Sequence, residues 1–175
     1  MSELLIRGAV AADAAAIQAH YITVAEQGGG LARQPAEITV EYVHTFLARS
    51  LATGVALVVE QPDGAGLAGE IHAYSSGLQI FAHVLGDLTV AVHPQYQGQQ
   101  LGHRLFTTLL SNIQERYPHV RRVELLVRES NGRAIALYEK LGFQREGRLL
   151  GRVSVTPGQY EADIPMAWHA PLFGQ

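Results

Sequence analysis

The sequence predicts a mixed α/β fold in a single domain spanning residues 1–175. Apolar runs typical of strands alternate with segments of helical periodicity, in the order β-α-α-β-β-β-α-β-α-β-β. Two of the strands are joined directly by a PDG turn, which is typical of an antiparallel hairpin. Another pair is joined through a helix, as parallel neighbours require. These features together predict a mixed sheet of about seven strands with flanking helices.

The first half of the chain is predicted to contain four strands and two helices. The stretch at 4–10 is typical of a strand, and Asp13 can cap the helix that follows. That helix must end at the three glycines of 28–30, where the backbone is most free. A second helix is predicted to begin near Thr39. The next three strands are predicted at 54–61, 66–75 and 83–92.

The second half is predicted to contain two helices and three strands. A helix runs to about Arg116, with apolar residues every fourth position: Leu101, Leu105, Leu109 and Ile113. A strand at 121–129 leads into a helix at 131–143. The chain is then expected to end in two strands, at 143–153 and 159–169.

Composition narrows the possible function classes. A net charge of −3 argues against broad nucleic-acid binding, which usually needs a basic surface. The absence of cysteine excludes disulfides, thiolate catalysis and cysteine-based metal sites. No apolar run approaches the roughly 20 residues that span a bilayer, and the start of the chain lacks the pattern of a signal peptide. We therefore expect a soluble, cytoplasmic protein with no membrane or nucleic-acid partner.

A neutral, amide-rich turn connects the strand at 83–92 to the next helix. It lies within VHPQYQGQQLGHRLF, residues 92–106, which contain no Asp or Glu. The first N–H groups of a helix lack internal partners and carry partial positive charge, so a phosphate can bind there. Gly98 and Gly102 would allow its close approach, with neutral amide donors beside them. The alternative is a plain connection whose glycines only form the turn.

Two motifs identify a family that this sequence resembles. The turn lacks both G-x-x-x-x-G-K-S/T and G-x-G-x-x-G. It resembles instead the acetyl-CoA-binding motif of the GCN5-related N-acetyltransferases (GNAT), Q/R-x-x-G-x-G/A after a strand that ends in V-x-P. Gln97 and Gly102 match, whereas Gln100 replaces the central glycine. NGRAIALYEKLGF, at 131–143, resembles the second motif, N-x-x-A-x-x-L-Y-x-K-x-G-F. The element order also resembles the GNAT fold along nearly the whole chain.

The resemblance implies acetyl-CoA as co-substrate and a set of residues that bind it. The strand that precedes the turn would bond the pantetheine arm through its backbone, and the turn and helix start would bind the pyrophosphate. Gln100 implies either that the turn adopts a conformation open to glutamine or that the pyrophosphate contact is altered. The expected cofactor-binding residues are Val90, Val92, Gln97, Gly98, Gln99, Gln100, Leu101, Gly102, His103, Asn131, Ala134 and Tyr138.

The implied reaction needs a base. The family acetylates primary amines directly, and at pH 7 only about one amine in 10³ is unprotonated at a reference pKa near 10.4. Asp87 and Glu124 are the candidate bases, and Glu70 is a less favoured one. Strand alternation predicts that Asp87 shares a face with Leu85, opposite the face of Leu88, Val90 and Val92.

Two further catalytic roles follow from the resemblance. The backbone N–H of about Val90 would stabilise the oxyanion, at a point where a bulge separates the strand from its neighbour. Tyr138 would supply a proton to the leaving thiolate, and its alternative role is that of a core aromatic residue. In the family, the loop at 26–35 borders the acceptor site.

The function that the resemblance implies is transfer of an acetyl group to a primary amine of a small molecule, such as an amino acid, a polyamine or an antibiotic-like amine. The late stretch GQYEADIPM is similar to family members of that kind. The alternatives are a non-catalytic CoA-binding or sensor domain and a protein or peptide N-acetyltransferase. Dimers are frequent in the family, so a homodimer is expected. The eight histidines show no metal-ligand spacing, and no metal is expected.

Overall fold

The computed structural model describes residues 4–28 and 30–171 as one mixed sheet with helices on both faces. The strands are β1 (Ile6–Gly8), β2 (Gly54–Glu60), β3 (Leu67–Tyr74), β4 (Val84–Val92), β5 (Arg122–Arg128), β6 (Gln144–Arg145), β7 (Leu149–Thr156) and β8 (Gln159–His169). The helices are α1 (Ala14–Glu26), α2 (Val40–Thr53), α3 (Leu101–Arg116) and α4 (Gly132–Lys140). The predicted mixed α/β class and the order of the helices among the strands are confirmed.

One predicted strand is two. The stretch at 143–153 forms β6 and β7, which pair with different parts of β8. The Glu146 N–H still donates to the Pro165 carbonyl of β8 at 2.9 Å, and the side chains between the two strands form ion pairs, Glu146 with Arg122 and Arg148 with Glu129. The described sheet therefore has eight strands.

The sheet runs in the order β1-β2-β3-β4-β5-β8-β6, with β7 also paired to β8. Strands β1 to β4 are successive antiparallel neighbours. The β4–β5 pair is parallel, and α3 is the crossover between these two strands. In the middle of the sheet, the antiparallel strands β1 to β4 thus join strands β5 to β8 through the one parallel pair, β4–β5.

Two apolar cores lie on opposite faces of this sheet. Along β2, Leu57 belongs to the core under α3 and α4, whereas its neighbour Val58 belongs to the core under α1 and α2. The predicted stripe of α3 is buried against the first core, with Phe106 beside it. Phe46 of α2 is buried in the second. Successive strand residues alternate between the faces, so one sheet supports both cores.

Asp13 does not cap α1 with its side chain, contrary to the prediction. A short 3-10 turn precedes the helix, and the Asp13 carboxylate accepts a hydrogen bond from the Val10 N–H at 2.8 Å. It also pairs with Arg7 at 2.8 Å. This ion pair explains the difference, because it holds the carboxylate toward β1, and it lowers the pKa of Asp13 below its ordinary value.

Candidate active site

Strands β4 and β5 separate after a short region of pairing. Their parallel ladder joins Val84 and Leu85 to Arg122 and Val123 and does not continue along the described strands. On the other side of β4, one residue of β3, Ala73, opposes two of β4, Asp87 and Leu88, between the pairs His72–Thr89 and Tyr74–Gly86, which is a β-bulge. A bulge bends its strand and increases the local twist. The bend leaves a gap between β4 and β5 in the middle of the sheet.

The bulge corrects the predicted alternation. Asp87 lies in it with a φ of 49°, a left-handed conformation that is uncommon outside glycine. The extra residue places Leu85 in the same core as Leu88, under α3, and not with Asp87. Strict alternation fails because one inserted residue inverts the faces of all residues that precede it.

The backbone of β4 presents hydrogen-bonding groups to the gap. His93, just after the strand, donates its N–H to the Ala68 carbonyl of β3 at 2.9 Å. Hydrogen-bonded pairs alternate in an antiparallel ladder, so the backbone groups of Val90 and Val92 are directed away from β3. Consistent with this phase, the Val92 carbonyl accepts a hydrogen bond from the Gln97 side chain at 3.2 Å.

The N-terminus of α3 lies beside the same gap. Its first intrahelical bond runs from the Arg104 N–H to the Gln100 carbonyl at 3.0 Å, and no side chain caps the helix. The N–H groups of Leu101, Gly102 and His103 precede that bond. They remain available as donors and lie at the positive end of the helix dipole.

Gln100 adopts the conformation expected of the glycine that it replaces. Its φ of 61° and ψ of 10° lie in the left-handed region, and Gly98 has a φ of 77°. Left-handed backbone costs a residue with a Cβ about 1–2 kcal/mol. The turn therefore keeps a glycine-type geometry despite the glutamine.

A cavity of about 810 Å³, here called the α3 cavity, is lined by these residues of β4, the turn and the start of α3. Every expected cofactor-binding residue lines it except Gln99, whose side chain donates to the Gln95 carbonyl at 2.8 Å. Among the described residues that line it there is no carboxylate, while Arg128, Arg133 and Lys140 contribute positive charge. The sequence analysis did not assign these three cations a role. The cavity is suited to an anionic ligand.

Tyr138 and Asn131 enter the α3 cavity from α4. Asn131 caps this helix, because its Oδ1 accepts a hydrogen bond from the Ala134 N–H at 3.2 Å. Tyr138 is 8% exposed and packs on Phe106. Burial raises the pKa of Tyr138 to about 12. The phenol is therefore neutral throughout the physiological range, and it is a weaker acid than an ordinary tyrosine.

A second cavity of about 580 Å³, here called the α2 cavity, contains the predicted bases. Asp87 and Glu124 both line it, together with aromatic side chains of α2 and β3 that sequence reasoning did not select: Tyr42, Phe46, His72 and Tyr74. Glu124 accepts a hydrogen bond from Arg122 at 2.6 Å. The described part of the 26–35 loop borders this cavity through residues 30–33.

The two cavities share the described residues Gly30, Leu31, Arg128 and Asn131 in their walls. A ligand in one is therefore adjacent to a ligand in the other. The described residues contain no group of three or more His, Asp or Glu side chains placed to hold a metal ion. No helix within 4–28 or 30–171 is long and apolar enough to cross a membrane.

Comparison with known proteins gives a family match. The model of the acetyltransferase (GNAT) family matches residues 42–143, which include the turn and α4. Helix α1 and strands β7 and β8 lie outside the matched range.

Curated relatives match over a shorter region. The ribosomal protein bS18-alanine N-acetyltransferase of Escherichia coli K12 is 40% identical over 75 residues, 43% of this chain and 49% of that protein. A protein of Bacillus subtilis whose name suggests the same activity is 41% identical over 58 residues, 33% of this chain and 37% of that protein. The chain thus matches at most about half the length of these relatives.

Solved structures match nearly the whole chain. A GNAT acetyltransferase from Streptococcus pneumoniae superposes with a TM-score of 0.86 at 24% identity, over 96% of this chain and all of that one (100%). The yncA protein of Salmonella typhimurium, solved with its cofactor acetyl-CoA, gives 0.82 at 21% identity, over 99% and 98% of the two chains. Similarity at this identity shows the fold.

Proposed function

Because this chain belongs to the acetyltransferase (GNAT) family, we propose that it is an acetyl-CoA-dependent N-acetyltransferase. It transfers an acetyl group directly to a primary amine of a small molecule, in the class of amino acids, polyamines or antibiotic-like amines. The observation that carries this proposal is the gap between β4 and β5, which has an uncapped helix N-terminus on one side and a cavity with carboxylates on the other.

The α3 cavity fits acetyl-CoA by the chemistry of its donors. The N–H groups of Leu101, Gly102 and His103 are available for the pyrophosphate, with the side chain of Arg133 nearby. The outward-directed backbone of Val90 and Val92 can bond the amides of the pantetheine arm, as an added strand would. Bound there, acetyl-CoA supplies an activated acetyl thioester.

Three further catalytic roles would belong to residues around the gap: stabilising the oxyanion, protonating the sulfur and deprotonating the amine. The Val90 N–H is directed into the gap, where it would stabilise negative charge on the carbonyl oxygen. Tyr138 is a neutral phenol from which the departing sulfur would receive a hydrogen bond and a proton. A base must deprotonate the incoming ammonium on the side of the α2 cavity, where Asp87 and Glu124 are located.

The α2 cavity supports a small acceptor. Its volume of about 580 Å³ is in the range of small-molecule sites. Aromatic walls and charged groups of both signs, Arg33 and Asp87 among them, suit a compact polar amine. A second candidate acceptor is the amino group of an alanine in a protein, because the curated relatives are named as alanine N-acetyltransferases of ribosomal protein bS18.

The proposal is tested by following thiol release from acetyl-CoA. Amino acids, polyamines, aminoglycosides and short peptides, one of them beginning with alanine, serve as acceptors. We expect turnover with one small-amine class and a large loss in Tyr138→Phe, but not in the matched control Tyr160→Phe, whose side chain is exposed on β8. Turnover of the alanine peptide alone supports the second candidate. Acetyl-CoA binding in calorimetry without any turnover supports the sensor alternative, and no binding refutes all three.

We also propose that the enzyme is a cytoplasmic homodimer. The β7–β8 hairpin leaves apolar side chains exposed, including Leu150 at 75% and Val155 at 53%. A second copy would cover them. Light scattering coupled to size-exclusion chromatography should give twice the monomer mass, and Leu150→Lys should shift it toward the monomer. A wild-type monomer would contradict this proposal.

A further inference from the structure

A fully buried polar cluster lies on the α1–α2 face of the sheet. Glu70 and His72 are alternate residues of β3 and are 0% and 2% exposed. The Glu70 carboxylate bonds the His72 Nδ1 at 3.0 Å and accepts a hydrogen bond from the Tyr21 hydroxyl of α1 at 2.5 Å. The Tyr21 hydroxyl is also 3.3 Å from the same Nδ1. We call Tyr21, Glu70 and His72 the β3 cluster.

The β3 cluster is costly to bury, and the core does not need it. An uncompensated buried carboxylate is strongly destabilising, and even a well-paired one is often no better than apolar residues of the same volume. Here the acid lies in the middle of a sheet, under a core built around Phe46, whose ring stacks on His72 at 4.0 Å between centroids. A purely structural site would be filled more simply by apolar side chains.

His72 is the member of the cluster that reaches a cavity. It lines the α2 cavity, whereas Glu70 and Tyr21 do not. Glu70 occupies its Nδ1, so the opposite ring nitrogen, Nε2, remains for a ligand in that cavity. No hydrogen bond from Nε2 to another side chain or to the backbone occurs within the described residues. An imidazole fixed through one nitrogen by a carboxylate presents the other in a defined tautomer.

The register places His72 near the proposed reaction centre. His72 pairs with Thr89 and Ile71 pairs with Val90, so His72 lies one position from the residue whose N–H faces the gap. Side chains of directly opposed residues are about 4.5–5.5 Å apart at Cβ. Asp87 lies farther along β4, in the bulge, and Glu124 is held by Arg122.

We propose that His72 is the general base that deprotonates the amine acceptor, and that Glu70 and Tyr21 position it. This inference rests on the proposed acetyltransferase function. Nε2 takes one proton from the acceptor ammonium, and the free amine forms the N–C bond to the acetyl carbon as the C–S bond breaks. The nitrogen loses its second proton to solvent, and the sulfur gains one from Tyr138, which is reprotonated from solvent. His72 then releases its proton to solvent, which regenerates the base. The sum is R-NH3+ plus acetyl-CoA giving the acetamide, CoA-SH and H+.

Several titratable and charged groups lie near this base. Glu70 is on the same strand, the Tyr21 and Tyr74 rings stack near His72, and the wall of the α2 cavity adds the following: Tyr42, Asp87, Glu124, Asp163, Arg33, Arg122, Arg128 and Arg152. Without the base, the rate should follow the fraction of acceptor that is already unprotonated, which rises tenfold per pH unit below the amine pKa.

The test compares His72→Asn with the matched control His44→Asn, in which the exposed histidine of α2 is changed. Asparagine keeps a donor near the position of Nδ1 but removes Nε2. The acceptor is the panel amine that wild type acetylates fastest. At pH 7 we expect kcat/KM to fall about 10²- to 10⁴-fold in His72→Asn, with a tenfold recovery per pH unit and an acetyl-CoA Kd within about twofold of wild type. His44→Asn should match wild type.

The assignment of His72 as the base can be refuted by carboxylate variants or by nitrogen NMR. If Asp87→Asn or Glu124→Gln shows the deep loss and the pH recovery while His72→Asn does not, the base is that carboxylate. Nitrogen NMR of wild type gives a readout independent of activity and of mutant folding. It should show neutral His72 protonated at Nδ1, and a proton on Nε2 would overturn the proposal. If wild type acetylates no amine, the proposed function itself has failed.

Discussion

At the scale of single residues, environment changes what a side chain can do. Tyr138 matches the tyrosine of the second family motif, but its acidity is set by its burial. The sequence predicts a phenol with an ordinary pKa near 10, and the structure gives a phenol that is harder to ionise because desolvation disfavours the phenolate. In the proposed reaction, the phenol would be protonated whenever the thiolate leaves.

The Tyr138 pKa predicts a loss of stability in alkali. The folded pKa, about 12, lies above the ordinary value of 10.0, so the stabilisation is complete below pH 10 and is lost as pH rises toward 12. The full shift corresponds to about 3 kcal/mol. In urea titrations from pH 9 to 12, Tyr138→Phe should lose less stability than wild type by up to that amount. Parallel curves for the two proteins would contradict the shifted pKa.

Gln100 predicts a gain in stability on substitution by glycine. Glycine removes the left-handed strain, which stabilises the folded state by about 1–2 kcal/mol. Its greater freedom in the unfolded chain destabilises the folded state by about 0.5–1 kcal/mol. Gln100→Gly should therefore be more stable than the control Gln100→Ala, which keeps the strain, by about 0.5–1 kcal/mol in chemical denaturation. Equal stabilities would mean that the glutamine is not strained.

At the scale of elements, the N-terminus of α3 and the bulge of β4 create the site together. The helix supplies N–H donors without a carboxylate nearby. The bulge opens the gap, and the backbone hydrogen-bonding groups of Val90 and Val92 are directed into it. The sequence predicted the helix start from Gly98 and Gly102, which are local signals. It predicted the face of Leu85 wrongly, because a bulge in mid-strand has no comparable signal.

The α3 cavity predicts a salt-dependent loss of acetyl-CoA affinity in Arg133→Ala. Arg133 lies in a wall without carboxylates and would contribute a charge-assisted hydrogen bond to a phosphate. We expect a Kd about tenfold weaker in calorimetry, with a smaller difference from wild type at 0.5 M salt than at 0.05 M. Arg116→Ala, at the far, exposed end of α3, is the matched control and should bind like wild type.

At the scale of the whole molecule, one sheet couples two cores. Strands β2, β3 and β4 contribute residues to both cores, so loss of either helix layer exposes apolar residues of strands that also support the other layer. The α3 and α2 cavities share wall residues, so the proposed cofactor and acceptor sites belong to one structural unit.

This coupling predicts cooperative unfolding from either core. Phe106→Ala, under α3, and Phe46→Ala, under α2, should each cost about 3–5 kcal/mol because both rings are buried. The single tryptophan, Trp168, lies in the α3 core. Its fluorescence and the helical circular dichroism should give the same midpoint in both variants. Separate midpoints in Phe46→Ala would show that the α1–α2 layer unfolds alone.

The sequence by itself determined the α/β class, the helices and most strands, and the α3 side of the site. Periodicity and the turn from Gln97 to Gly102 are local, and a helix N-terminus is built within a few residues of chain. The split of the last predicted strand into β6 and β7 was missed, because it depends on pairing with two different parts of β8, which local sequence does not specify.

Only the tertiary structure decided the acceptor side. In the sequence, His72 is an ordinary member of a predicted strand, Glu70 is only a less favoured candidate base, and Tyr21 is one residue of the first predicted helix. Their hydrogen bonds join positions about fifty residues apart, as the Tyr21–Glu70 separation of 49 shows. The burial that makes them chemically significant comes from packing α1 and α2 on the sheet. Local sequence specifies local backbone geometry, whereas a side chain's environment is set by residues distant in the chain.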